Sequence, residues 1–184
     1  MAKKEGLTLK NVIWSLILIV AFIIGVTYEI NDFFDEKDFD NYRLQFEYPS
    51  GWTPTNFTTE NTSTSIQLYG KDSEIIFPVT IKTEVTKNNT YTSNDVESDI
   101  LRQNVEQKYP EIAKNCQEQY VDGTGVTDLP IFKYKAQVDG KTKIRIFLLC
   151  GINFCMIEGK TLEDDYYLED KLDEIAESLY VKGL

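Results

Sequence analysis

Residues 132–158, FKYKAQVDGKTKIRIFLLCGINFCMIE, decide the fold, because they encode three consecutive strands joined by two tight turns. Apolar and polar residues alternate up to Asp139-Gly140, a dipeptide that favours a two-residue hairpin turn. The return strand becomes apolar on both faces at Phe147-Leu148-Leu149, which is typical of a central strand covered on two sides. Cys150-Gly151-Ile152-Asn153 then predicts a second reversal. The segment therefore indicates an antiparallel meander.

Shorter strand patterns precede this meander. A strand with one buried face is predicted by the alternating apolar residues Tyr42, Leu44, Phe46 and Tyr48. Pro49-Ser50-Gly51 ends it as a turn, after which Trp52 is expected to fold back onto the core. The Thr-, Asn- and Ser-rich residues 53–65 are predicted to form a loop. Two further strands are indicated by the apolar residues Ile66, Leu68, Ile75, Phe77, Val79 and Ile81.

One helix is predicted before the meander and one after it. The first is expected to begin at a cap in residues 93–95 and to stop before Pro110. The second is expected to begin at Thr161, and its apolar stripe consists of Leu168, Leu172, Ile175, Ala176 and Leu179. The acidic residues on its other faces are expected to be solvated. The order of elements predicts an α+β fold in which helices flank an antiparallel β-sheet.

The N-terminal region has a different character. Residues 11–28 form an uncharged, mostly apolar run, and as a helix they would span about 27 Å, close to the ~30 Å hydrocarbon core of a membrane. Lysines precede the run and acidic residues follow it, so the positive-inside rule places the N-terminus in the cytoplasm. We therefore predict a basic cytoplasmic tail (1–10), a single transmembrane signal-anchor (11–30), an acidic stalk (31–41) and an extracytoplasmic domain (42–184).

Other readings of this segment make different predictions. A cleaved signal peptide needs a small-x-small site, which only Gly25-Val26-Thr27 approaches. A pilin-like leader would be cut at Gly6, although Asn11 stands where pilins usually place a glutamate. A buried core helix is disfavoured, because the segment is apolar on all faces.

Charge and composition exclude several functions. The chain of 184 residues has a net charge of −11, and residues 1–30 hold three of its lysines against two glutamates. The rest of the chain is therefore strongly acidic and would repel nucleic acid. The chain contains no histidine, which removes His-activated nucleophiles and His-ligated metal sites. We predict no catalytic residues, no metal site and no cofactor.

Two kinds of covalent modification remain open. Cys150 and Cys155 flank the second predicted reversal and could form a disulfide, or they could be small buried apolar groups. Three N-glycosylation sequons begin at Asn56, Asn61 and Asn88. Chance also supplies such triplets in a chain rich in Asn and Thr.

The segment Phe46-Glu47-Tyr48-Pro49-Ser50-Gly51-Trp52 and the order of elements resemble the PsbP-like family, whose members often open with a strand running into a Tyr-Pro-x-x-Trp turn. The resemblance covers about residues 42–182. It implies an α/β/α sandwich around an antiparallel sheet and a non-catalytic binding or assembly role. The absence of histidine means that no metal-binding role is implied.

These observations predict a membrane-anchored extracytoplasmic binding or assembly module with an envelope protein partner, and no enzymatic activity. One alternative is an envelope enzyme that uses paired carboxylates, since glycan cleavage needs only two of them. Another is a pilin-like structural subunit.

Overall fold

The computed structural model describes residues 13–24, 36–72, 75–85, 97–123, 125–161 and 166–182. Two compact units are present, 1–35 and 36–184. The first contains helix α1, residues 13–24. In the described part of the second unit the helices are α2 (Glu97–Lys108), α3 (Pro110–Ala113) and α4 (Tyr166–Ser178).

The second unit is built mainly of antiparallel β-strands. A seven-stranded sheet has the order β3-β4-β5-β9-β8-β7-β6, and a smaller sheet has the order β1-β2-β10. The strands found among the described residues are β1 (Glu36–Asp40), β2 (Leu44–Pro49), β3 (Thr53–Thr59), β4 (Ser63–Asp72), β5 (Ile75–Val85), β6 (Gln117–Gly123), β7 (Val126–Val138), β8 (Lys141–Cys150), β9 (Asn153–Thr161) and β10 (Tyr180–Val181).

Both predicted turns of the meander are confirmed. Asp139 and Gly140 have φ values of 53° and 70°, the pair of positive angles that a type I′ hairpin turn requires. At the second reversal Cys150 pairs with Asn153, and Gly151 alone has a positive φ, 60°. That pattern belongs to a type II′ turn, in which glycine occupies the first central position.

Two separate cores lie on the two faces of the large sheet. One face packs against α4 and the small sheet, and its core includes Phe46, Trp52 and Ile146. The other face packs against α2 and α3, and its core is centred on Phe147. Strand β8 contributes to both cores, which explains its continuous apolar run. The predicted burial of Trp52 is also confirmed, because only 3% of its side chain is exposed.

Three predictions about local structure need correction. The acidic stalk predicted for 31–41 is wrong over Glu36–Asp40, which forms β1 and pairs with β2; residues 31–35 lie outside the described ranges. The ring of Phe39 stacks on that of Phe46, with the two centroids 5.0 Å apart. This contact packs an otherwise acidic segment against the domain. The loop predicted for 53–65 contains β3 and the start of β4. Thr161, the expected helix cap, ends β9 instead.

Helix α1 exposes its large apolar side chains, with exposed fractions from 49% at Ile13 to 72% at Phe22. Within the described ranges, no helix has the length and hydropathy needed to cross a membrane. Residues 11–12 and 25–30 of the predicted anchor lie outside those ranges.

Candidate functional site

A cleft of about 350 Å³ opens at one end of the large sheet, where β8 turns into β9. Its walls are mainly apolar and also include the C-terminal residues that lead into β10. A volume of this size and an apolar lining are typical of small-molecule or side-chain binding sites. The residues that matter for its chemistry are Leu129, Cys150, Ile152, Asn153, Leu179 and Val181.

Two of the three cysteines meet beside this cleft. Cys150 and Cys155 lie on the same face of the β8–β9 hairpin, and the Cys155 thiol donates to the carbonyl oxygen of Asn153, with Sγ and O 3.8 Å apart. The Cys150 thiol also donates to the carbonyl oxygen of Leu179, with Sγ and O 3.6 Å apart. All three cysteines are free thiols, and Cys116 belongs to the core on the opposite face of the sheet. The structure thus brings together the two cysteines that the sequence singled out.

A second cavity of about 310 Å³ lies along the small sheet, lined in part by Asp38, Glu47 and Tyr180. The backbone N–H of Glu47 donates to the hydroxyl oxygen of Ser178, at 3.0 Å. This bond ties α4 to β2 at the floor of the cavity.

The acidic face of α4 is partly structural rather than fully solvated. The Lys133 ammonium, only 6% exposed, lies 2.7 Å from Asp173 and 3.1 Å from Glu169. Lys135 adds a weaker contact, 3.3 Å from the other oxygen of Glu169. These ion pairs connect strand β7 directly to helix α4.

Burial and the close approach of opposite charges shift the pKa values of Lys133, Glu169 and Asp173. Burial acts to lower the pKa of Lys133, but the two carboxylates outweigh burial and raise it. Burial raises the pKa of Asp173 more than Lys133 lowers it. For Glu169, burial is outweighed by the two lysines and the pKa is lowered. One buried ammonium is therefore shared between two mutually repelling carboxylates.

Glu177 follows Asp173 by one helical turn, and its pKa is also raised, by burial and by neighbouring carboxylates that include Asp173. Neighbouring carboxylates with raised pKa values are what the alternative of a carboxylate-based enzyme requires. Here, however, Asp173 is bound to Lys133. The structural ion pair accounts for the position of this carboxylate.

A second ion cluster lies on the opposite face of the sheet. Glu158 accepts hydrogen bonds from Arg145, at 2.5 Å, and lies 2.9 Å from the ammonium of Lys143. The guanidinium of Arg145 stacks over the ring of Tyr109, at 5.4 Å from its centroid. Burial opposes ionisation of Glu158, but Lys143 and Arg145 outweigh it, so its pKa is lowered. This network connects the α2–α3 junction to strands β8 and β9.

At the start of α2 a further polar cluster surrounds Glu118. This carboxylate accepts hydrogen bonds from Ser98, from Tyr120 at 2.8 Å and from Arg102 at 2.6 Å. These hydrogen bonds, that of Ser98 first, lower the pKa of Glu118. The cluster ties α2 to the outermost strand, β6.

Two of the three glycosylation sequons lie on the described surface. Asn56 is exposed in β3 at a φ of 49°, where its side-chain amide donates to Gln67 at 2.7 Å. Asn61 is exposed in the β3–β4 turn. Asn88 lies outside the described residues. Accessible placement is a requirement for glycosylation, and Asn56 and Asn61 meet it.

Sequence reasoning missed the role of Lys133. The signal was available, because Lys133 and Lys135 share one face of a strand while Glu169 and Asp173 share one face of a helix. The sequence could not show on which side of the sheet helix α4 packs.

Within the described ranges, no group of three acidic or cysteine side chains is placed to hold a metal ion.

Comparison with known proteins concerns the fold. No model of a protein family matches the chain, and no curated protein matches it either. A crystal structure from Bacteroides thetaiotaomicron is similar, with a TM-score of 0.52 at 13% identity, and covers 80% of this chain and 48% of that one. This chain thus spans about half the length of that protein.

The solution structure of cyanobacterial PsbP from Synechocystis is also similar, with a TM-score of 0.46 at 14% identity; it covers 79% of this chain and 92% of that one. At such identities the similarities show the fold alone. Within the described ranges the chain has a mostly antiparallel β-sheet with a few helices.

Proposed function

We propose that this chain is a membrane-anchored binding or assembly module without catalytic activity, whose folded domain lies outside the cell membrane. The observation that carries the proposal is the uncharged run of residues 11–28, with lysines before it and acidic residues after it. The exposed apolar side chains of α1 support it, because apolar surface of this extent needs to be covered. Lipid covers such a surface on all sides of a helix.

The domain offers a surface suited to binding. The apolar cleft at the end of the sheet contains Ile152, 43% exposed, at the tip of the β8–β9 turn. Buried apolar anchors surrounded by polar groups carry most of the free energy of protein association. We therefore expect an envelope protein partner to insert an apolar side chain into this cleft.

The anchor is tested by charges placed within it. The substitution Ile19→Arg puts a cation near the centre of the run, where insertion costs about 3 kcal/mol more than for the apolar residue. In cells that produce the full-length chain, we expect the wild type to resist alkaline extraction from membranes and the variant to be released. Val138→Arg, at a side chain 40% exposed in the folded domain, is the matched control and should stay in the membrane fraction. Recovery of the wild type in the alkaline extract would contradict the proposal.

The partner surface is tested by site-specific photocrosslinking in intact cells. A photoreactive residue at Ile152 is expected to give a discrete adduct with one envelope protein, because this position borders the cleft. The control is the same residue at Val138, which is similarly exposed but ends β7, where it pairs with Lys141 at the start of β8 and so lies far along that strand from the cleft. Equal adducts from both positions, or none from Ile152, would speak against the cleft as the contact surface.

A further inference from the structure

The Cys150–Cys155 pair has an arrangement that suits thiol–disulfide exchange. Cys150 pairs with Asn153 across the hairpin, and Cys155 pairs with Leu148. The two cysteines are therefore diagonal neighbours on one face of two adjacent strands. Both side chains pack in the core that α4 covers, so the sheet does not separate them.

The two thiols differ in access. Cys150 is half-buried and forms part of the cleft wall, whereas Cys155 is completely buried in the core. A reagent in solution can thus reach the first sulfur and not the second. Cys116 packs on the other face of the sheet, so the sheet itself separates it from the pair.

We propose that Cys150 is a modification site for low-molecular-weight disulfides and that Cys155 resolves the product to an internal Cys150–Cys155 disulfide. The Cys150 thiolate attacks one sulfur of the reagent, forms a mixed disulfide and releases one reagent thiol. Cys155 then loses its proton and attacks the Cys150 sulfur, which releases the second reagent thiol. Two protein thiols are oxidised by two electrons, the reagent disulfide is reduced to two thiols, and the protons balance.

The second step is expected to be the slower one. Burial, together with the neighbouring Cys150 thiol, raises the pKa of the Cys155 thiol well above its ordinary value. Because the thiolate is the attacking species, a raised pKa reduces the reactive fraction. The mixed disulfide at Cys150 should therefore accumulate before the internal bond forms.

Oxidation also alters the cleft. The hydrogen bond from Cys150 to Leu179 disappears, because a disulfide sulfur carries no hydrogen. Diagonal neighbours lie about 7–8 Å apart, and a disulfide requires Cα atoms within roughly 4.4–6.8 Å, so the hairpin end must shift. Leu179 directly precedes β10, whose residues Tyr180 and Val181 border the cleft. The thiol state therefore controls how firmly the C-terminal strand is held.

The test uses the full-length chain, oxidised glutathione as the reagent, and mass spectrometry after alkylation of free thiols. We expect the wild type to gain one internal disulfide between Cys150 and Cys155 while Cys116 is alkylated. Cys155→Ser should retain one glutathione on Cys150, and Cys150→Ser should retain none. Cys116→Ser is the matched control and should behave as the wild type. Glutathione found on Cys155 of the wild type, or no disulfide between Cys150 and Cys155, would overturn the proposal.

Two measurements on the wild type keep the test independent of how the variants fold. In the reduced protein, Cys150 should be alkylated before Cys155, and the reverse order would overturn the assignment of the entry thiol. The Lys182 amide, which donates to the Arg43 carbonyl at 2.8 Å, should exchange its hydrogen at least about tenfold faster after oxidation, since local opening sets that rate. An unchanged rate would overturn the coupling to the C-terminal strand.

Discussion

Replacing Phe147 by alanine is expected to lower the free energy of unfolding by about 3–5 kcal/mol. The Phe147 side chain is completely buried. Its ring centroid lies 5.0 Å from that of Tyr109 and 5.8 Å from that of Phe154. The substitution leaves a cavity at the centre of the core under α2 and α3 and removes both aromatic contacts. Urea denaturation of the full-length chain, followed by circular dichroism, measures the loss.

Two further variants define the cause of that loss. Phe147→Leu keeps much of the apolar volume and should cost clearly less than alanine. Val138→Ala, at a strand position that is 40% exposed, should change the free energy of unfolding by less than about 0.5 kcal/mol. If Phe147→Ala were as mild as Val138→Ala, the second core would not contribute to stability as described.

Replacing Lys133 by alanine is expected to destabilise the domain by about 3 kcal/mol at neutral pH. The ammonium is 6% exposed and neutralises both Asp173 and Glu169, so its removal leaves two carboxylates side by side without their buried counterion. Lys135→Ala is the matched control on the same strand face. Its side chain is 36% exposed and makes one contact with Glu169, so the loss should stay below about 1 kcal/mol.

The loss from Lys133→Ala should also depend on pH. The pKa of Glu169 in the folded protein is lowered. The stabilisation it provides is therefore present above the pKa of an unfolded glutamate and fades as the pH falls through the lowered value. Since the variant lacks this stabilisation, the difference between variant and wild type should shrink in acid. Urea titrations at neutral and acidic pH measure it, and a difference that stayed constant or grew in acid would contradict the ion-pair interpretation.

The parts of the fold that the sequence predicts well are those in which local signals and burial agree. Asp139-Gly140 specifies its turn through backbone angles alone, and the apolar run at Phe147 reports burial on both faces. Strands β1 and β3 lack such signals. The segment Glu36–Asp40 is almost wholly exposed apart from Phe39, so its composition resembles a solvated linker. It forms a strand because β2, three residues further along the chain, provides hydrogen bonds and the aromatic ring of Phe46.

In the candidate site, too, the sequence predicts local structure but not tertiary packing. The spacing of Cys150 and Cys155 around a turn predicts their proximity, and the hairpin register then places them on one face. The cleft beside them could not be predicted, because it depends on where the segment at Leu179, between α4 and β10, lies against the hairpin. The role of Lys133 depends likewise on which face of the sheet α4 covers. Tertiary packing decides both, and local sequence patterns do not encode it.

Strand β1 also has a mechanical consequence. The chain enters the domain through this strand, and within the described ranges its backbone pairs with that of β2 only. Tension that arrives through residue 35 would load the five residue pairs of β1 with β2 first, while the seven strands of the large sheet bear none of it. Release of strand β1 would remove the ring of Phe39 from Phe46 in the core that α4 covers, while the core centred on Phe147 would stay closed.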